Sequence, residues 1–92
     1  MDVFSNHFER NEVAAKVLKS MSEDIEYTSH QLSEILNESR RRIQYVMMFL
    51  SHNGMVEKVG TIRRERKGSR GLWRINFSGI PGWMKRLMML IE

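Results

Sequence analysis

The sequence predicts a small, mainly helical α+β domain, and three observations predict it. Apolar residues recur at helical spacing in three segments between residues 12 and 53, and again after Pro81. Two stretches after Gly54, residues 55–59 and 72–77, read instead as strands, the second alternating Trp73, Ile75 and Phe77 with Arg74 and Asn76. The 92 residues contain no repeat or linker-like tract, so residues 1–92 are expected to form one domain. A chain this short buries a modest share of its surface, so its stability should be marginal and a partner subunit would help it.

Residues 1–11 are expected to form an amino-terminal arm, because Phe4 and Phe8 lie one turn apart without continuing the stripe that follows. Asn11 can cap a first helix over 12–21, whose stripe is Val13, Ala14, Val17, Leu18 and Met21. Thr28 followed three residues later by Gln31 is a capping box, and Leu32, Ile35 and Leu36 give a second helix of barely two turns. Ser39 can cap a third helix from Arg40 to Asn53, and Gly54 supplies the left-handed residue at its end. Two helices joined by so short a break have helix-turn-helix spacing. The strands then flank "GTIRRERKGSRG", a long charged tip in which Gly60, Gly68 and Gly71 are expected to preserve flexibility. Residues 80–92 form a last helix started by Pro81, with Trp83, Met84, Leu87, Met88, Leu90 and Ile91 within roughly 160° of its circumference.

Composition removes several function classes. With no cysteine there are no disulfides, thiolate metal sites or cysteine nucleophiles. His7, His30 and His52 lack ligand-like spacing, so neither a metal nor a cofactor is expected. "SEDIE" crowds acids without a basic or histidine counterpart, and no phosphate-cradling glycine motif is present, so an enzyme is not expected. No apolar run nears the roughly 20 residues that span a bilayer and no leader-like segment opens the chain, which predicts a cytoplasmic protein. No small-molecule pocket is inferred.

Charge is distributed unevenly. Residues 1–38 hold eight acids and three bases, whereas residues 39–92 hold twelve bases and three acids. Such polarity favours a polyanion approached from one side. On the third helix, at 100° per residue, Ile43, Val46, Met47 and Leu50 share the core side, while Arg41, Gln44, Tyr45, Met48 and His52 lie opposite. Three arginines beside the positive end of a helix dipole each cost a few tenths of a kcal/mol, at about 0.3 or more. A phosphate backbone would offset that cost, since it attracts both the guanidinium groups and the dipole. Arg41, Gln44 and Tyr45 are therefore assigned to a major groove, and Arg40 and Arg42, at the edges of the apolar stripe, to phosphates beside the capping Ser39. The tip adds Arg63, Arg64, Arg66, Lys67 and Arg70, suited to phosphates or to a minor groove.

The order of helix, short helix, helix, glycine and two-stranded hairpin, carried by "TSHQLSEIL", "ESRRRIQYVMMFLSHNGMVEK" and "SRGLWRINF", resembles the winged helix-turn-helix family over residues 12–77. "LSHNGMVEKV" looks like the passage that ends many such recognition helices and starts the wing. Within the family the chain is most similar to small single-domain bacterial, archaeal or phage-type regulators. The resemblance implies a three-helix core, a two-stranded wing, and a transcriptional regulator that binds double-stranded DNA sequence-specifically. It also implies groove contacts by Arg40, Arg41, Gln44 and Tyr45, with a wing tip at Arg63–Arg70. The competing expectations are a winged-helix module docking an acidic protein segment, and RNA binding. The last helix, with Trp83, Leu87, Leu90 and Ile91 as its outer face, is expected to pack on the first helix, on a second copy, or on both. A homodimer follows from that face.

Overall fold

The computed structural model describes residues 4–64 and 68–91. Three helices, α1 (His7–Ser20), α2 (Ser29–Leu36) and α3 (Arg40–His52), precede an antiparallel pair of strands, β1 (Val56–Arg64) and β2 (Gly68–Ile75). A 3-10 turn (Phe77–Gly79) then leads into α4 (Gly82–Leu90). This mainly helical α+β arrangement is consistent with a winged-helix layout.

α1 starts earlier than Asn11 would place it, because the cap is Asn6, whose side chain accepts a hydrogen bond from the Glu9 N–H at 2.9 Å. Residues 7–11 are therefore helical rather than part of an arm. Phe8 rides the outer side of this added turn, 76% exposed, whereas Phe4 folds back into the core. In the α1–α2 connection, Tyr27 exchanges two backbone hydrogen bonds with Trp73, of 2.9 and 2.8 Å, and so lays a single residue against the outer edge of β2.

The capping box at α2 forms as expected: the Thr28 hydroxyl accepts from the Gln31 N–H and the Gln31 side-chain Oε1 accepts from the Thr28 N–H. Asn37, in the left-handed region, ends the helix as the Glu38 N–H reaches back to the Ser33 carbonyl. Ser39 caps α3, accepting from the Arg42 N–H at 3.2 Å. Ile43, Val46, Met47 and Leu50 are completely buried against α1 and α2. At the far end Gly54 takes φ +75°, and the Met55 N–H donates to the Leu50 carbonyl.

Both strands are longer than their alternation suggested. Pairing runs from Val56 opposite Ile75 to Arg64 opposite Gly68, through both Gly60 and Gly71. The sequence "GTIRRERKGSRG" is thus largely strand. A bulge between Lys58 and Gly60 absorbs the extra residue, which is how an interior glycine is accommodated in a strand. Phe77, expected to continue the inward alternation, falls in the 3-10 turn and is exposed. That turn closes on the end of α3: the Asn76 side chain donates to the Gly54 carbonyl at 2.9 Å, and the Asn76 N–H donates to the Met55 carbonyl. A Cβ on Gly79 would sit 1.9 Å from the Gly54 carbonyl oxygen. α4 is shorter than residues 80–92: Pro81 is its cap, Met84 is buried, and Ile91 is already extended. The helix packs on α1, and Lys19 donates to the Ile91 carbonyl.

Arg42 is the tie between helices. Its guanidinium pairs with Glu9 of α1 and, at 3.1 Å, with Glu38 in the α2–α3 turn, and it stands over the Phe4 ring, 4.7 Å from the centroid. The second Glu9 oxygen accepts from the Ser5 N–H, so one carboxylate secures both the start of α1 and α3.

Two outcomes are expected. Arg42→Ala should lower the unfolding free energy by about 1–2 kcal/mol, and a double-mutant cycle with Glu9→Gln in urea should give a coupling near ~1 kcal/mol. Gly79→Ala should cost about 1–3 kcal/mol, because the obstacle is backbone that cannot swing aside; an unchanged thermal midpoint would contradict the close approach.

Candidate nucleic-acid interface

The buried stripe of α3 sets its rotation, and that rotation decides which side chains face out. Arg40, Arg41, Gln44, Tyr45, Met48 and His52 are exposed. Among the described residues neither Arg40 nor Arg41 has a carboxylate partner. Tyr45 is 48% exposed, and its ring lies tilted against that of Phe4, 5.7 Å between centroids. The arm preceding α1 therefore fixes one edge of the outward face.

Along the other edge the hairpin approaches. The pairing register puts Arg70 opposite Ile62, and Arg70 and Gly71 then lie beside the first turn of α2. Ser29 and His30 of α2, Arg40 and Gln44 of α3, and Arg70 and Gly71 of β2 line one polar cleft of about 130 Å³. The two basic segments that the sequence keeps 30 residues apart thus meet at a single place on the surface. His30 is held by Glu34, with 2.7 Å between Nε2 and Oε1, and its Nδ1 has no hydrogen-bond partner among the described residues.

Not every expected contact residue is brought there. Arg42 points toward α1 and pairs with Glu9 there and with Glu38 in the α2–α3 turn, so the guanidinium expected at a phosphate is engaged within the fold. At 100° per residue it lies on the α1 side of the helix, away from Arg41. The Ser39 hydroxyl is occupied as a cap acceptor. Arg63 and Arg64 belong to the end of β1, with backbone paired to Ser69 and Gly68, while Arg66 and Lys67 lie outside the described residues. Arg74 is turned to Glu26 at 2.9 Å. Ser29 and His30 were not among the expected contacts, since their nearness to Arg70 depends on strand register and not on any local pattern.

The face expected between copies is a second, apolar feature. Phe8, Asn11, Trp83, Arg86, Leu87 and Leu90 line a groove of about 320 Å³ between α1 and α4. Trp83 and Leu90 are exposed, Leu90 at 80%, whereas Leu87 and Ile91 are half-buried against the core. Phe8 joins this surface because α1 begins at His7.

Among the described residues no group of three or more His, Asp or Glu side chains could hold a metal ion, and no helix is long and apolar enough to cross a membrane. No protein-family model matches the chain and no curated protein matches it, so the layout of three helices followed by a two-stranded antiparallel sheet stands on the structure alone.

Proposed function

We propose that the chain is a winged helix-turn-helix protein that binds double-stranded DNA sequence-specifically and regulates transcription, acting in the cytoplasm at the nucleoid. The observation that carries this reading is the meeting of Arg40 and Gln44 of α3 with Arg70 of β2 at one outward cleft. A helix about 10–12 Å across fits a major groove about 12 Å wide. With α3 so inserted, Arg41 and Gln44 offer the fork and the amide that pair with guanine and adenine edges, and Tyr45 offers the exposed part of its ring. Arg40 and Arg70 then flank the groove at the phosphates, and the hairpin serves as the wing. The acids of the amino-terminal half are compatible with the same orientation, since Glu9 and Glu38 are engaged with Arg42 and Glu26 with Arg74.

The reading includes a homodimer, joined through the α1–α4 groove. Phe8 and Leu90 project from the surface that also contains the hollow, which is what a twofold contact of a patch with itself needs. Half-sites would then lie about 10 bp apart or at a multiple of that spacing.

Fluorescence anisotropy with random-sequence duplex at two salt concentrations should show binding that weakens steeply as salt rises. Arg41→Ala should relax preference at one base position by about 1–3 kcal/mol on duplexes selected from a random pool. Undiminished binding in high salt, or a stronger response to an acidic peptide or to RNA than to duplex DNA, would move the interface to a different partner class. In sedimentation equilibrium the wild type should be dimeric and Leu90→Glu monomeric; a monomeric wild type at 100-fold excess over the DNA dissociation constant would remove the dimer from the reading.

A further inference from the structure

We infer that the outer edge of β1, from Lys58 to Arg63, is a docking site for an extended segment of another protein, one that alternates acidic and apolar side chains and joins the hairpin as an added strand. The inference is separate from the DNA-binding reading: the cleft that carries that reading is lined from the hairpin by Arg70 and Gly71 of β2, and by no residue of β1.

The two edges of the sheet differ. Tyr27 exchanges backbone hydrogen bonds with Trp73, so β2 is flanked on both sides, by Tyr27 and by β1. Along the outer side of β1 no backbone partner is found among the described residues. The register fixes which groups this leaves over, because successive residues of an antiparallel ladder aim their N–H and C=O to opposite sides. Trp73 directs both groups to Tyr27, so its pairing with Lys58 is a non-hydrogen-bonded one, and the N–H and C=O of Lys58 point away from β2. The bulge shifts the count by one residue. Beyond it Thr61, opposite Gly71, and Arg63, opposite Ser69, turn their backbone groups outward in the same way. Three residues thus offer a row of donors and acceptors, the template onto which a further strand adds.

The side chains specify the strand that fits. Val56 and Ile75 are buried and Trp73 packs on the core, so the face they share is turned to the helices, and Lys58, opposite Trp73, occupies an exposed position on it. The other face holds Leu72 and Ile62. Leu72 Cδ1 lies 3.8 Å from where a Cβ on Gly60 would stand, and Ile62, two residues on from Gly60, is exposed. With Val59, also exposed, they form an apolar strip on the side of the hairpin away from the core. An added strand sets alternate side chains on the two faces, and so meets this strip on one and Lys58 on the other. The sequence of β1 sets Lys58, Arg63 and Arg64 against the single acid Glu57. Pairing two copies of β1 about a twofold axis would bring those bases together, and like charges on facing strands are destabilising. An acidic strand is complemented by the same charges, and a segment of about six residues spans the edge.

The test titrates the ¹⁵N-labelled full chain, without DNA, with three capped peptides of equal length. The first alternates glutamate and valine, the second alternates lysine and valine, and the third is the first N-methylated throughout, which keeps its side chains but has no N–H to donate. Only the first should shift the Lys58, Thr61 and Arg63 amides saturably and protect them from hydrogen exchange. Thr61→Pro removes an N–H that is turned away from β2, so the β1–β2 hydrogen bonds survive, and it should weaken binding by about tenfold. Lys58→Glu, which leaves the backbone untouched, should weaken the glutamate–valine peptide by about fivefold and strengthen the lysine–valine one. Equal binding of all three peptides, shifts centred on Arg41 and Gln44 of α3, or an affinity that neither substitution lowers would overturn the inference. So would changes at the same three amides on raising the protein concentration without peptide, which would assign the edge to a second copy of the chain.

Discussion

Everything on the outer surface of α3 follows from the complete burial of Ile43, Val46, Met47 and Leu50. Four large side chains removed from water on one side of a thirteen-residue helix leave it a single rotational setting, since a turn of even one residue would bring polar groups into the core. That setting sends Arg40, Arg41, Gln44 and Tyr45 outward as a group. The ends of the helix are then secured separately, at the start by Ser39 and Arg42 and at the finish by Gly54 against Asn76 and Gly79. The outward side chains of α3 therefore stand on a support with little rotational freedom.

The three adjacent arginines illustrate how one residue of offset separates roles. Their common position at the positive end of the α3 dipole is unfavourable for each. In the folded chain one of them, Arg42, finds compensation internally, in Glu9, Glu38 and the face of Phe4. Arg40 and Arg41 have no acidic partner among the described residues, so the uncompensated charge is concentrated at the two positions nearest the hairpin and the open face. A run that looks uniform in sequence therefore divides into a fold-holding residue and two outward ones.

What could be read from the sequence was whatever depends on neighbours within one turn. The capping box of Thr28 and Gln31, the Ser39 cap, the apolar stripe of α3 and the left-handed Gly54 are all local and all legible. The start of α1 was missed because its first turn carries an outward Phe8 that breaks the stripe, while Asn6 and Asn11 are equally good caps in isolation. The length of the hairpin was missed because glycines at 60 and 71 look like turn residues, and only the bulge and the cross-strand register explain their place in strands. The pairing of Arg42 with Glu9 could not be read because Glu9 lies 33 residues upstream, beyond any periodic pattern. The contribution of Ser29 and His30 to the cleft belongs to the same class of long-range facts.

The short bridge between Tyr27 and Trp73 has a mechanical consequence. Tyr27 immediately precedes the cap of α2, and its two backbone hydrogen bonds, backed by the Glu26–Arg74 pair, fasten the root of the hairpin to that cap. The base of the hairpin is thereby held at the start of α2. Moving the root of the hairpin therefore requires breaking those two backbone hydrogen bonds or carrying the start of α2 along with it.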